Sequence, residues 1–273
     1  KCVIDQIESV SKDIKDRSDL IQVALISANG ENEIAQLIVD AIDAAGIDGH
    51  VIVEEAKGFK SSLEIVEGYQ VNRGYMSPYF VSDKSKMNCV LKDPLILMAD
   101  RNFSSIHELM KPLERALNLS RPILVIANEI DGDAMQGLVL NRVKGALQIC
   151  SIKSPGFGAS RFELLNDLQS VVGGKVINGS MDMQSFKDEM FGTCKKVIIQ
   201  KGSSLFVNES GDKLESEKRI CDIKEKLNNP SYSKDEKELL NYRLQQLSGG
   251  IAILRVGAAT ESELIERYDR VDD

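Results

Sequence analysis

Pro122-Ile123-Leu124-Val125-Ile126-Ala127 is a short uncharged run with four branched aliphatic side chains in succession. It is too short for a core helix, and apolar and polar residues do not alternate in it. It therefore reads as a strand buried on both faces. Two further runs flank it, Leu95-Ile96-Leu97-Met98-Ala99 upstream and Ala146 to Ile152 downstream. Between the first two lies an amphipathic segment, Ser104 to Leu119, with Ser104 or Ser105 as cap and Ile106, Leu109, Met110, Leu113, Ala116 and Leu117 as an apolar stripe. Pro112 removes a backbone donor, so the regular helix must start near Leu109 to leave the proline in its first turn. Between the second and third runs a helix spans Asp133 to about Val143, with Ala134, Leu138, Met135, Val139, Arg142 and Leu140 on adjoining rows. Strand, helix, strand, helix, strand with short links predicts βαβ units and a parallel sheet with right-handed crossovers. Both helices carry more apolar residues than one core-facing stripe needs.

Outward from this centre, Pro155-Gly156-Phe157-Gly158 is a tight turn before a helix over Arg161 to Val171, which Gly173-Gly174 ends. Lys196 to Gln200 and Ser203 to Val207 read as a hairpin. Lys213 to Leu227 and Ser233 to Leu247 read as charged helices of an αα-hairpin around Asn228-Asn229-Pro230. Toward the N-terminus, Lys1 to Ser18 is helical and polar, and Leu20 to Ile26 is an apolar run that Ser27 or Asn29 follows as a cap. Glu33 to Ala45 is a helix. His50 to Glu54 and Leu63 to Val66 are strands, Gly68 following the second at once. Gly249-Gly250, a strand over Ile251 to Val256 and a helix from Glu261 close the chain. Gly68 and the Gly249-Gly250 pair are candidate hinges, since glycine accepts large backbone changes.

The 273 residues allow two domains and an ample core. A net charge of −8 with acids and bases interspersed lacks the basic face of a nucleic-acid binder. No apolar run reaches membrane-span length, and Lys1 to Asp19 lacks a signal-peptide core. Five scattered cysteines without a CxxC pair point to reduced thiols in a reducing, soluble compartment. His107-Glu108-Leu109-Met110-Lys111 begins like a zinc-protease motif, but Lys111 stands where the second ligand belongs, so no metal site is expected. The Pro155–Gly158 turn has Arg161 in place of a third dinucleotide-loop glycine, and no GxxxxGK[ST] occurs. No nucleophile elbow is visible.

Arg73-Gly74-Tyr75-Met76-Ser77-Pro78-Tyr79-Phe80 places three aromatic rings in six positions of a loop-like segment. Either the loop folds onto the core or it is an exposed apolar ledge, and the spare rows on the two helices favour the ledge.

These residues resemble the group I chaperonins, the GroEL type, from about Leu20 to Asp273. The resemblance rests on Ile26-Ser27-Ala28-Asn29, Val66-Glu67-Gly68, Arg73 to Phe80, Pro122 to Ala127 with Gly132-Asp133-Ala134, Leu138 to Asn141, Lys153 to Gly158, Leu247 to Gly250, and Val256 to Glu261. The family's equatorial ATP domain with its phosphate loop has no counterpart here. The resemblance implies an α/β apical polypeptide-binding domain (68–250) in βαβ order with an αα-hairpin. It is inserted into a smaller, discontinuous α+β intermediate domain (1–67 and 251–273). Lys1 to Asp19 matches poorly, Ser180 to Thr193 is two residues shorter than usual, and Lys111-Pro112 shifts a helix-start proline by one position.

The roles below follow from the resemblance. Non-native polypeptides, and the mobile loop of a GroES-like co-chaperonin, bind an apolar groove formed by Tyr75, Tyr79 and Phe80, then Met110 and Leu113, then Met135, Val139 and Leu140, with Asn141 beside it. Gly68, Gly249 and Gly250 are the hinge. Arg73 and Glu261 bridge neighbouring subunits of a double ring. Asp273 matches the carboxylate that orients water for ATP hydrolysis in the parent, an ATP- and Mg-dependent folding ring. The fragment itself needs no cofactor and is not an enzyme. Phe80 to Met87 is similar to plastid members and Leu138 to Arg142 to mitochondrial ones, which favours those compartments over bacterial cytoplasm. The alternative reading is a small α/β enzyme that binds an anion at the Pro155–Gly158 turn.

Overall fold

The computed structural model describes residues 11, 14, 16–45, 50–56, 58–179, 183–208, 213–229, 232–248, 250–258 and 260–272. In chain order the helices and strands are α1 (Arg17–Ser27), α2 (Asn32–Ala45), β1 (His50–Glu55), β2 (Ser62–Val71), β3 (Cys89–Lys92), β4 (Leu95–Asp100), β5 (Asn102–Phe103), α3 (Met110–Asn118) and β6 (Ile123–Ala127). Next come β7 (Glu129–Ile130), α4 (Gly132–Val143), β8 (Ile149–Lys153), α5 (Ala159–Val172), β9 (Val176–Asn178), β10 (Gly192–Thr193), β11 (Lys196–Ile199), β12 (Ser204–Asn208), α6 (Lys213–Asn228), α7 (Lys234–Ser248), β13 (Gly250–Val256) and α8 (Glu261–Asp272). The protein is of the α/β class. It divides into two compact units, Lys1–Ile65 with Gly250–Asp273, and Val66–Gly249.

In the first unit β1 and β13 pair in parallel, His50 opposite Ile251 through Glu55 opposite Val256. The Leu20 to Ile26 run is helical: Leu20, Ala24 and Ala28 recur every fourth residue and pack with Ile34, Ala35 and Val39 of α2. Asp16 caps α1 by accepting from the Asp19 amide at 2.9 Å. The expected caps Ser27 and Asn29 do neither job. Ser27 is the last residue of α1, and Asn29 (φ 52°) with Gly30 (φ 86°) makes the left-handed turn between the helices. The Arg255 guanidinium lies between Glu54 and Glu64, and Tyr268 of α8 donates to the Val53 carbonyl at 3.2 Å.

In the second unit, β4, β6 and β8 pair in parallel, with Leu95 opposite Ile123 and Ile123 opposite Ile149. These are the three runs read as buried strands, and all but their last residues in β4 and β8 are buried. The third strand begins at Ile149, three residues later than the sequence pattern implies, because the chain turns at Gly145 (φ 70°) before it can pair. A second, antiparallel set joins β3 to β11, β11 to β12, and β12 to β2. Gly68 does not end β2; it continues the ladder opposite Val207. The Met and Phe residues of the 183–191 segment serve the core. Met183 and Phe191 are buried, and the Phe186 and Phe191 rings meet edge to face at 4.7 Å.

The αα-hairpin of α6 and α7 is largely charged, yet it is anchored to α5 by a buried carboxylate. Asp167 has no exposed surface. It accepts from Arg219 Nε at 2.7 Å and from Arg243 Nε and Nη2 at 2.6 and 2.8 Å. Glu163 accepts from the same two guanidinium groups at 2.6 and 3.0 Å. Nearby Tyr69 is buried, and that burial, followed by the Asp167 charge, pushes its hydroxyl well above the usual value. Removing one partner from such a cluster strands a charge in a dry site, which costs about 3–5 kcal/mol. Asp167→Ala is therefore expected to lower the unfolding free energy by roughly that amount, measured by urea denaturation. Burial raises the Glu163 carboxyl, but Arg219 and Arg243 more than offset it and hold it below its usual value. Its contribution is present above the unfolded value of about 4.3 and is lost as pH falls through the lower folded value. The stability gap between wild type and Glu163→Gln should therefore narrow on acidification through that window, as read from urea midpoints against pH.

Candidate functional site

The two helices with spare apolar rows are held side by side by a short parallel pair. β5 leads into the first helix and β7 into the second; Asn102 faces Glu129, and Phe103 faces Ile130. Three hydrogen bonds tighten this entry. The Asp131 amide donates to the Phe103 carbonyl and the Ala134 amide to the Ser104 carbonyl, both at 3.1 Å. The Ile106 amide donates to Asp133 Oδ2, also at 3.1 Å. A 3-10 turn, Ile106–Leu109, precedes α3, and the Ser105 hydroxyl caps it by accepting from the His107 amide. Pro112 falls at the third position of α3, in the first turn, where its missing donor costs nothing.

Helical spacing then sorts the side chains. In the first segment Leu109, Leu113 and Ala116 face inward and are buried, while Met110 and Leu117, seven residues apart, are 41% and 51% exposed. In α4, Ala134 and Leu138 are buried, Met135 and Val139 pack half-buried against the core, and Leu140 and Val143 are 52% and 65% exposed. The 3-10 turn Pro78–Phe80 packs against α4 and β8. Ser77 caps it, and successive side chains then diverge by a third of a turn. Tyr79 is 69% exposed, whereas Phe80 is completely buried.

The sequence-derived list therefore divides. Tyr79, Met110 and Leu140 are exposed, and Tyr75, Met135 and Val139 are half-buried. Phe80 and Leu113 are core residues and present no surface to a ligand, because the 3-10 turn and the inner helix row aim them at the sheet. The ledge and folded-back readings of the aromatic segment thus each hold for part of it. The half-buried Asn141 side chain donates to the Gly137 carbonyl of its own helix at 2.8 Å. Leu117 and Val143 were not among the expected residues, yet they extend the Met110 and Leu140 rows. Their positions seven and three residues on were the available signal.

Arg73 stacks over the Phe157 ring, its guanidinium carbon 4.9 Å from the ring centre. Glu261 is exposed in the first turn of α8. Gly68 lies within β2 and Gly250 begins β13. Gly249 and Asp273 lie outside the described residues. At the Pro155–Gly158 turn the Phe157 amide is taken by Ser160 Oγ at 3.3 Å, so that donor is not free for an anion. His107 is exposed on its turn. Among the described residues no group of three His, Cys, Asp or Glu is placed to hold a metal, and no helix is long and apolar enough to cross a membrane. A cavity of about 320 Å³ in the first unit is lined mainly by aliphatic groups, including Leu20, Val23, Ile38, Val51 and Leu254. Its one charged lining group, Arg270, is paired with Glu31 and Glu266.

The architecture thus defines an α/β protein whose second unit carries an apolar helical surface. No known family model matches the chain.

Gly137 lets the two walls approach. A Cβ placed there would lie 2.6 Å from Ile106 Cδ1 and 2.7 Å from its Cγ1. Alanine would gain about 1 kcal/mol of helix propensity and lose a similar amount by displacing Ile106. Gly137→Val, which crowds the contact further, should destabilise by about 1–3 kcal/mol. Thermal melts should therefore place Gly137→Ala close to wild type and Gly137→Val clearly below it.

Proposed function

We propose that this chain is a polypeptide-binding fragment of the group I chaperonin type, taking non-native chains through the apolar face of α3, α4 and the Pro78–Phe80 turn. The observation that carries the reading is the row of exposed large apolar side chains on these three neighbouring elements: Met110, Leu117, Leu140, Val143 and Tyr79. Single exposed leucines are ordinary on a soluble surface, but a cluster on adjoining elements marks a contact surface. The residue types suit an unspecific guest. Methionine is polarizable and adaptable, and branched aliphatics make no directional demands.

Magnitudes fit a transient binder. Each large apolar group buried by a guest contributes about 1.5–3 kcal/mol. Several half-buried anchors, less the cost of ordering the guest, sum to about −8 kcal/mol, near micromolar. A ring of such surfaces would multiply this by avidity. In the same reading a GroES-like co-chaperonin competes for the face. The wider parent supplies ATP and Mg chemistry through an equatorial domain, with Asp273 as its water-orienting carboxylate. Arg73 and Glu261 serve as a contact between subunits, and Gly68, Gly249 and Gly250 as the flexing points. The parent's plastid or mitochondrial location belongs to this proposal as well.

The test is suppression of aggregation of a labile protein by the fragment, alongside Tyr79→Glu and Leu140→Glu forms that remain folded by circular dichroism. Loss of one anchor should weaken binding of an unfolded test peptide about tenfold or more. Phe80→Leu, altered within the core, should bind as wild type does once its fold is verified. Equal binding by the wild type and both Glu variants would remove this surface as the binding site.

A further inference from the structure

Away from the apolar face, the second unit holds two cysteines in contact. Cys89 lies in β3, opposite Ile199 of β11, and Cys150 lies in β8, opposite Leu124 of β6. Each strand is the last of its paired set. Both thiols are completely buried in the same core, and neither is in a disulfide. They hydrogen-bond to each other, and the Cys150 thiol also faces the Ser151 carbonyl at 3.9 Å.

This contact makes the two sulfurs unequal. The hydrogen bond from Cys150 has the largest effect on Cys89. With help from the Arg142 charge it outweighs burial and holds the Cys89 thiol below its usual value. Burial, and after it the hydrogen bond and charge of Cys89, push the Cys150 thiol well up. Cys194 provides the contrast: burial pushes it up to about 12, and its thiol donates to the Lys196 carbonyl at 3.5 Å. A thiol biased toward thiolate beside one that keeps its proton is the arrangement that supports thiol–disulfide chemistry. The outer position of β3 and β8 means that local separation of one edge, without global unfolding, admits a small oxidant.

We propose that Cys89 and Cys150 form a reversible dithiol–disulfide couple, closed by a peroxide, that covalently joins the antiparallel and parallel strand sets of the second unit. The Cys89 thiolate attacks one peroxide oxygen. The O–O bond breaks, Cys89 becomes a sulfenic acid, and the departing hydroxide takes up a proton to become water. The Cys150 sulfur then attacks the Cys89 sulfur, the S–S bond forms, and the sulfenic oxygen leaves as a second water carrying the Cys150 proton. Two thiols lose two electrons in all, and one peroxide gains them. A small dithiol reverses the change. The couple does not depend on what the apolar face binds.

The experiment uses the full chain with Cys2→Ser, Cys194→Ser and Cys221→Ser, so that Cys89 and Cys150 are the remaining thiols. It is exposed to hydrogen peroxide under native conditions. The expected result is loss of two hydrogen atoms in the intact mass, a non-reduced peptide joining Cys89 to Cys150, and a higher melting temperature. All three should reverse with dithiothreitol. The wild-type chain, mapped the same way, guards against effects of the serine replacements and should give the same cross-linked peptide. Recovery of unlinked Cys89 and Cys150 peptides from folded, peroxide-treated wild type would overturn the proposal. So would a link that forms only in urea.

Discussion

A parallel sheet whose strands are buried on both sides cannot stand alone, and that constraint governs the second unit. β4, β6 and β8 leave almost no residue in contact with solvent. Each crossover between them must therefore be a segment with an apolar inner row, and these are the 3-10 turn with α3, and α4. Leu109, Leu113 and Ala116, like Ala134 and Leu138, are spent on this cover. What remains on the outer rows is free of the folding requirement. The exposed apolar residues there, Met110, Leu117, Leu140 and Val143, are the ones that the fold does not explain.

A second constraint acts on the opposite kind of residue. Charged helices such as α6 and α7 have little apolar surface with which to attach. Ile223 and Leu240 are buried, but the directional tie is Asp167 between Arg219 and Arg243. A buried ion pair is a poor source of net stability, since desolvation offsets most of its attraction, but it tolerates little misplacement. The bidentate Arg243 geometry fixes where the hairpin sits on α5. The hydrophobic sheet thus supplies the stability of the second unit, and this ionic knot the register of its most polar part.

Much of this was legible along the chain. The three strand runs, the helices between them, the β11–β12 hairpin and the αα-hairpin follow from periodicity and from Gly and Pro punctuation, which are local properties. The misread places are those where partners lie far off in sequence. Leu20 to Ile26 could not be resolved without α2 to pack against. Gly68 looked like a strand end because its ladder partner, Val207, is remote. Asp167 carried no signal, because one carboxylate among many differs from the rest only through Arg219 and Arg243. At the candidate site, Tyr79, Met110 and Leu140 were legible as surface, whereas Phe80 and Leu113 were not legible as core.

The sequence by itself determined the class of architecture, because the alternation of strand and helix signals and the short links between them leave βαβ pairing as the consistent solution. It also determined which helices carry surplus apolar residues. The tertiary structure alone decided which of those residues face solvent. That choice depends on how each helix is rotated about its axis, and here Gly137 against Ile106 and the β5–β7 pair set that rotation. It decided too that Cys89 meets Cys150. Two residues on strands far apart in the chain become neighbours only when separate strand sets close over one core.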